Sequence, residues 1–197
     1  MIRTTEIKPV KNPSYVRNDT FDSRIGFDIG RPRLVFVLWY CAKCVFFLSS
    51  IPWPSSFKSG LLRLFGAKIG QNVYWKPRVN IHFPWKLTVG NYAWIGEEVS
   101  ITNFESVSVG AHCCISQRSF LCSGNHDYRS TDMRYRHAPI VLEDGVWVGA
   151  GVFVGPGAII GTDAVVTALS LVNRSLEGGW VYGGQPCIAL RQRWSTE

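Results

Sequence analysis

The acid–base chemistry of the sequence is concentrated in one short stretch, Gly124-Asn125-His126-Asp127-Tyr128, followed by Arg129, Arg134, Arg136 and His137. A neutral imidazole is suited to accepting a proton near physiological pH. For that task one ring nitrogen must stay open, while the other is held by a fixed acceptor such as a backbone carbonyl. Asp127 adjoins His126, but neighbouring residues rarely reach the geometry of an orienting pair, so no dyad is expected. His137 is expected to be a solvated loop residue, and His82 and His112 to lie at a surface or interface. Cys41 and Cys44 form a C-x-x-C inside an apolar run, with no second pair or nearby His to complete a zinc site. No metal is expected.

These residues sit in the one interruption of a long repeat. From Ile69 an apolar residue returns every six positions, at Trp75, Ile81 and Leu87. After a slip of two come Val89, Ile95, Ile101 and Val107, and after another Val109, Ile115 and Leu121. Beyond the interruption the run resumes through Leu142, Val148, Val154, Ile160, Val166 and Val172. Glycine often follows the apolar residue directly, as at Gly70, Gly90, Gly96, Gly110, Gly149, Gly155 and Gly161. Small or β-branched residues recur four positions after it, from Val73 to Ser170.

A period of six predicts a triangular solenoid, in which three hexapeptides close one coil and the repeated side chain points to the axis. Glycine is expected to relieve the turn at each corner. An antiparallel sandwich would instead show period-two alternation and hairpin dipeptides, which do not dominate here. The segment between Leu121 and Leu142 then reads as a loop extruded at a corner, where a solenoid tolerates insertion and often places function.

The blocks from Val89 to Cys187 resemble the hexapeptide-repeat acyltransferase superfamily. The stretch from Ile115 through Asn125-His126-Asp127-Tyr128 is similar to its colanic-acid-biosynthesis type, relatives of the galactoside, maltose and nodulation O-acetyltransferases. The resemblance reaches back into Leu61–Gly70 and leaves the first thirty residues unmatched. It implies a left-handed parallel β-helix, against the usual crossover hand, and acetyl transfer from acetyl-CoA to a hydroxyl of a sugar or polysaccharide precursor. His126 takes the position of the family's catalytic base. Trp147 flanks the pantetheine arm, with Gly149, Ala150 and Ala168 forming a narrow slot. Asn173-Arg174 stands where the family usually has Thr-Lys near the CoA nucleotide. Gly184-Gln185-Pro186 approximates the family's G-N-P-A turn, and Arg191 is a candidate for the 3′-phosphate. Asn103, Asp127 and Tyr128 are candidates on the acceptor side. The resemblance also implies a homotrimer with active sites between subunits.

The expected organisation is an N-terminal extension over residues 1–66, a β-helix over 67–177 with its catalytic loop at 122–141, and a C-terminal tail over 178–197. Within the extension, the apolar run Leu34–Ile51 is expected to be a helix packed on the end of the domain, stopped by Pro52 and Pro54. Interfacial contact with a membrane is the next reading, and Lys43 counts against a span. The polar opening of the chain reads as lacking a signal peptide, which places the protein in a cytoplasmic, reducing compartment with its six cysteines as small core residues. A net charge of +7 suits an anionic partner, but basic residues are not interleaved with aromatics, so nucleic acid is not expected. N-acetylation of an amino sugar and a non-catalytic scaffold remain as alternatives. A metal-dependent solenoid enzyme would need two histidines close together in one coil, which this sequence lacks.

Overall fold

The computed structural model describes residues 15–16, 18–23 and 25–194. Two helices, α1 (Arg33–Phe46) and α2 (Ser55–Leu64), precede a left-handed parallel β-helix. Its first coil is β1 (Lys68–Ile69), β2 (Tyr74–Trp75) and β3 (Asn80–Ile81). The second is β4 (Leu87–Val89), β5 (Trp94–Ile95) and β6 (Ser100–Thr102), and the third is β7 (Val107–Val109), β8 (Cys114–Ile115) and β9 (Phe120–Cys122). After the loop come β10 (Ile140–Leu142), β11 (Trp147–Val148) and β12 (Phe153–Val154), then β13 (Ile159–Ile160), β14 (Val165–Val166) and β15 (Leu171–Val172). β16 (Trp180–Gly183) stacks parallel on β14, and β17 (Ile188–Gln192) returns antiparallel along β16.

Three faces result. The first is β1-β4-β7-β10-β13, the second is β17-β16-β14-β11-β8-β5-β2, and the third is β15-β12-β9-β6-β3. Every apolar residue of the six-residue repeat, from Ile69 to Val172, is buried. The two-residue slips also acquire a cause. Strands of the first face are three residues long where the slips fall, so Leu87 and Val89 both point inward with Thr88 exposed between them. Val107 and Val109 do the same. Alternate residues of a strand share a face, so β4, β7 and β10 of the first face each supply two core side chains where the strands of the first coil supply one.

The repeated glycines serve a different purpose from the expected one. None of the seven that follow the apolar residue has a positive φ. The left-handed residue of each turn comes two positions later and is usually not glycine, as at Asn72, Tyr92, Glu98, His112, Arg118 and Leu169. What the glycines satisfy is the approach of the next coil. A Cβ at Gly96 would stand 2.7 Å from the amide nitrogen of Gln117, and one at Gly149 would stand 2.7 Å from that of Ala168.

The helical end closes the solenoid by hydrogen bonding as well as by packing. A terminal coil leaves strand-edge groups unpaired, and these must be covered. Trp39 Nε1 donates to the carbonyl of Ile81 in β3 at 3.1 Å. Ser55 Oγ accepts from the amide of Trp75 in β2 at 3.0 Å, and Lys58 Nζ donates to the Lys76 carbonyl at 3.0 Å. Arg63 Nε and Nη2 donate to the carbonyls of Ile69 and Gly70 beside β1, at 3.0 and 2.6 Å. One face after another is thus capped by a helix side chain.

The expected helix over 34–51 ends earlier, at Phe46, where the Leu48 amide joins that of Phe47 on the Lys43 carbonyl instead of making the next α-helical bond. A sixth, partial coil runs across the expected boundary between the β-helix and the tail at 177/178. Leu176 bridges to Ile160 on the first face, and β16 is the last parallel strand of the second. Of the cysteines, Cys113 and Cys187 are buried, whereas Cys41 and Cys44 are exposed on α1, so the core role expected for all six does not extend to that pair.

Gly96→Ala is expected to destabilise the fold by about 2 kcal/mol or more, since the colliding atoms are all backbone. Leu169→Gly, at an exposed residue with φ 60°, is expected to leave the melting temperature unchanged or raise it. Thermal melts of the two variants check both, and a neutral Gly96→Ala would show that the coils can separate.

Candidate active site

The loop leaves β9 on the third face and re-enters at β10 on the first, so it stands at the corner between them. It folds back on itself as a narrow antiparallel hairpin. His126 bridges Tyr135, the Asp127 amide donates to the Arg134 carbonyl at 2.8 Å, and the Arg136 amide donates to the Asn125 carbonyl at 2.8 Å. His126 Nδ1 is hydrogen-bonded to the carbonyl of Met133. A carbonyl only accepts, so the neutral ring carries its proton on Nδ1 and leaves Nε2 as the basic nitrogen. Met133 adopts a left-handed backbone conformation, φ 51°, to aim that carbonyl.

His137 takes the opposite tautomer. Its Nδ1 accepts from the Asn125 amide at 3.1 Å, which places the proton on Nε2, and Nε2 is buried without a hydrogen-bond partner. The ring stacks on Phe104, with centroids 5.1 Å apart, and meets Phe27 and Tyr135. It is therefore half-buried in an aromatic cluster, and the expectation of a solvated residue is overturned. Burial pushes its pKa down, reinforced by the His126 and Lys86 charges and opposed by Glu105. His82, also expected at a surface, is half-buried between Phe36, Phe83 and Phe104. Its pKa is likewise lowered by burial first and by Lys43 second.

The N-terminal segment, unmatched in sequence, supplies part of this corner. Phe21 packs edge-on against His126 at 5.3 Å, and Phe27 against Phe104 at 5.2 Å. Lys86 Nζ donates to the carbonyls of Asp28 and Phe104, both at 2.6 Å, and tethers the segment to the coil.

The acceptor-side candidates separate. Asn103 is fully buried, and its amide is consumed by the Phe83 backbone, accepting from its N–H at 2.9 Å and donating to its carbonyl at 2.6 Å. It staples the first two coils together and presents nothing to a ligand. Tyr128 is 76% exposed, with the Arg129 guanidinium over its ring. Asp127 accepts from the Arg129 amide at 3.1 Å and pairs with its side chain at 3.7 Å. Trp85 is half-buried and donates to the Ile29 carbonyl at 2.6 Å.

A groove of about 780 Å³ runs along the second face, away from this corner. Trp147, Gly149, Ala150, Ala168 and Arg191 all line it. Trp147 stands half-exposed with its indole N–H donating to Ser116 Oγ at 3.0 Å. Ala150 and Ala168 are stacked by the hydrogen bond from Leu169 to the Ala150 carbonyl at 2.8 Å. Beyond them in the same column come Gly184 and Pro186. They continue that corner without lining the groove, and Gln185 Nε2 donates to the Leu169 carbonyl at 2.6 Å. Arg193 fixes the far wall, bonded to the carbonyls of Gly145 and Asp163 at 2.9 and 3.0 Å.

Asn173 and Arg174 do not join the groove. They follow β15 at the corner of the inserted loop, exposed, with Arg174 donating to the Cys187 carbonyl at 3.0 Å. Sequence reasoning missed Ser116, Gln117, Thr167 and Trp194, which line the groove as well. Ser116-Gln117 is the counterpart, one coil earlier, of Gly149-Ala150, because Ile115 pairs with Val148. The inserted loop conceals that equivalence in the sequence.

The chain is 42% identical to the proteins of Escherichia coli K12 and Shigella flexneri named as the colanic acid biosynthesis acetyltransferase WcaF, over 160 residues covering 81% of this chain and 88% of each relative. It belongs to this family of hexapeptide-repeat acetyltransferases. No protein-family model matches the sequence. Among solved structures, a hexapeptide-repeat acetyltransferase of Vibrio cholerae in complex with acetyl coenzyme A has a TM-score of 0.75 at 22% identity, covering 83% of this chain and 89% of that one. A galactoside acetyltransferase in complex with coenzyme A has a TM-score of 0.74 at 21% identity, with 82% of each chain covered. Both share the fold of this acetyltransferase.

The two half-buried imidazoles make the stability of this acetyltransferase depend on pH. A histidine whose folded pKa is depressed contributes fully above its unfolded value near 6.5, and that contribution falls as pH drops toward the folded value. NMR titration is expected to find His82 and His137 protonating below 6.5, with a melting temperature that declines as pH falls below it.

Proposed function

We propose that this acetyltransferase moves an acetyl group from acetyl-CoA to a hydroxyl of a sugar or polysaccharide precursor, with His126 as general base. Family membership makes the chain an acyltransferase with acetyl-CoA as its co-substrate. The observation that carries the finer reading is the tautomer of His126, whose Nε2 is left as an acceptor by the Met133 carbonyl. As the acceptor oxygen attacks the thioester carbonyl, Nε2 takes its proton. The tetrahedral adduct then expels the CoA sulfur, the C–S bond breaks, and the imidazolium returns the proton to the thiolate. Cys114, the thiol on the outer face of β8, has its pKa raised by burial and is poorly suited to act as a competing nucleophile.

The narrow groove floored by Ala150 and Ala168 suits the amide-bearing pantetheine arm, with Trp147 flanking it and Arg191 toward the 3′-phosphate. His126 and this groove lie on different sides of one solenoid, so a single chain does not assemble the site. A homotrimer, in which the loop corner of one subunit faces the second face of its neighbour, brings them together. Arg174, on the loop corner, would then face the CoA nucleotide from the other wall of the same cleft. Tyr128 and Asp127, at the exposed tip of the loop, are placed for the acceptor. Peripheral contact with a membrane, where lipid-carried acceptors reside, completes this reading. Among the described residues no helix is long and apolar enough to cross one.

Thiol release from acetyl-CoA is expected with a panel of sugars, nucleotide sugars and lipid-linked glycans, and is expected to be abolished by His126→Ala. Retained turnover in that variant would end the assignment. Ala168→Trp, which fills the groove, is expected to be inactive as well. Co-expression of the two inactive variants is expected to restore about a quarter of wild-type activity, because about one cleft in four of a mixed trimer pairs an intact loop with an intact groove. No recovery would place the site within one chain.

A further inference from the structure

Helix α1 is apolar on both faces. Its inner face packs Phe36, Trp39 and Phe46 toward the solenoid end, and Lys43 is turned to that side, with its ammonium over the Tyr40 ring and only 6% of its surface exposed. The outer face carries Leu34, Val37, Leu38, Cys41 and Val45, at i, i+3, i+4, i+7 and i+11, which is one continuous stripe on a helix, and Leu48 prolongs it just past the helix end. All six are exposed, Leu34 at 69% and Val37 at 53%. No charged residue interrupts the stripe. A helix at a protein surface ordinarily turns polar residues outward, so this one is covered in use.

Charge selects the cover. From Ile29 to Gly96 the chain contains nine lysines and arginines and no aspartate or glutamate, leaving twelve basic and fourteen acidic residues for the rest. The excess charge therefore resides in α1, α2 and the first two coils, with Arg31 and Arg33 exposed at the start of α1. A second copy docked through this end would set two cationic surfaces against each other. An anionic bilayer offers both chemistries the surface lacks, acyl chains for the stripe and phosphates for the basic rim. At about 1.5 Å per residue, the fourteen residues of α1 reach only about 21 Å, short of the roughly 30 Å of a hydrocarbon core. A helix of that length would lie in the plane of the interface rather than cross it.

We propose that the N-terminal end of the solenoid docks on an anionic bilayer, with the Leu34–Leu48 stripe of α1 sunk at the boundary between headgroups and acyl chains. This deepens the membrane contact named above, and its test involves no catalysis, so the acyl-transfer chemistry stands or falls separately. The full chain is floated with vesicles of phosphatidylcholine alone, or of phosphatidylcholine with phosphatidylglycerol. Binding to the anionic vesicles is expected to be about tenfold tighter or more, and to weaken in about 0.5 M salt. Leu38→Glu with Val45→Glu is expected to reduce it by about tenfold again, with the melting temperature as the control for folding. In the wild-type protein, vesicles are expected to shield Cys41 and Cys44 from maleimide, a readout that needs no variant. Folded wild-type protein that fails to float with anionic vesicles, or leaves both thiols reactive on them, overturns the proposal. So does a change in oligomeric state of the double variant without lipid, which assigns the stripe to a second copy.

Discussion

The spacing of a parallel β-ladder, about 4.8 Å between strands, is the constraint on which the rest of this molecule depends. Each coil must lie within that distance of the next around its whole perimeter, at turns as well as strands. Where two turns touch, no side chain fits, and glycine follows the inward residue at Gly96 and Gly149 because backbone atoms of the next coil occupy the place of a Cβ. Inside, the same spacing stacks like on like, as in the column of Trp75, Ile95, Ile115, Val148 and Val166. Outside it stacks aromatic rings, as for Tyr74 on Trp94 and Tyr92 on His112. The groove is a further product of this stacking. Ala150 and Ala168 are small at one corner of successive coils, and Trp147 rises beside them.

A ladder this regular has little room for chemistry of its own, which explains why the basic histidine stands on an extrusion. The solenoid closes beneath the loop, β9 and β10 keeping their places in the third and first faces, so the hairpin is free to meet local demands. Those demands are paid for in backbone strain at Met133 and in an aromatic support contributed largely from outside the coils. Phe21, Phe27, Phe104 and Tyr135 surround the two loop histidines, whose opposite tautomers are set by the Met133 carbonyl and the Asn125 amide. The loop histidine at its corner and the groove on its flank lie on different sides of the one chain.

The ends of a solenoid present the opposite problem, since the ladder stops while its hydrogen-bonding groups do not. At the N-terminal end the helices answer with long side chains. Trp39, Lys58 and Arg63 reach strand-edge carbonyls, while their helices cover the last core residues. Lys58, buried beneath α2, has its pKa lowered by desolvation, yet its ammonium finds a carbonyl acceptor. Capping uses only the inner faces of the helices. The outer face of α1 is under no such demand, and it is left apolar and exposed.

The repeat was legible in the sequence because a solenoid is nearly one-dimensional: each inward residue answers to a neighbour one coil away, at a fixed offset. Its period of six, its buried positions and the place of its interruption all follow from that local rule. His126, Trp147, Ala150, Ala168 and Arg191 were named through the family's motifs, and the structure sets His126 on the extruded loop and the other four along the groove. Asn103, named for the acceptor side by its motif, has its amide taken by the Phe83 backbone, since a motif specifies a position and not the atoms around it. The purpose of the glycines, the tautomers of His126 and His137, and the aromatic wall built by residues near the N-terminus were decided only by the tertiary structure. Each depends on groups brought together across coils or through backbone carbonyls, and a backbone carbonyl has no signature in the order of side chains.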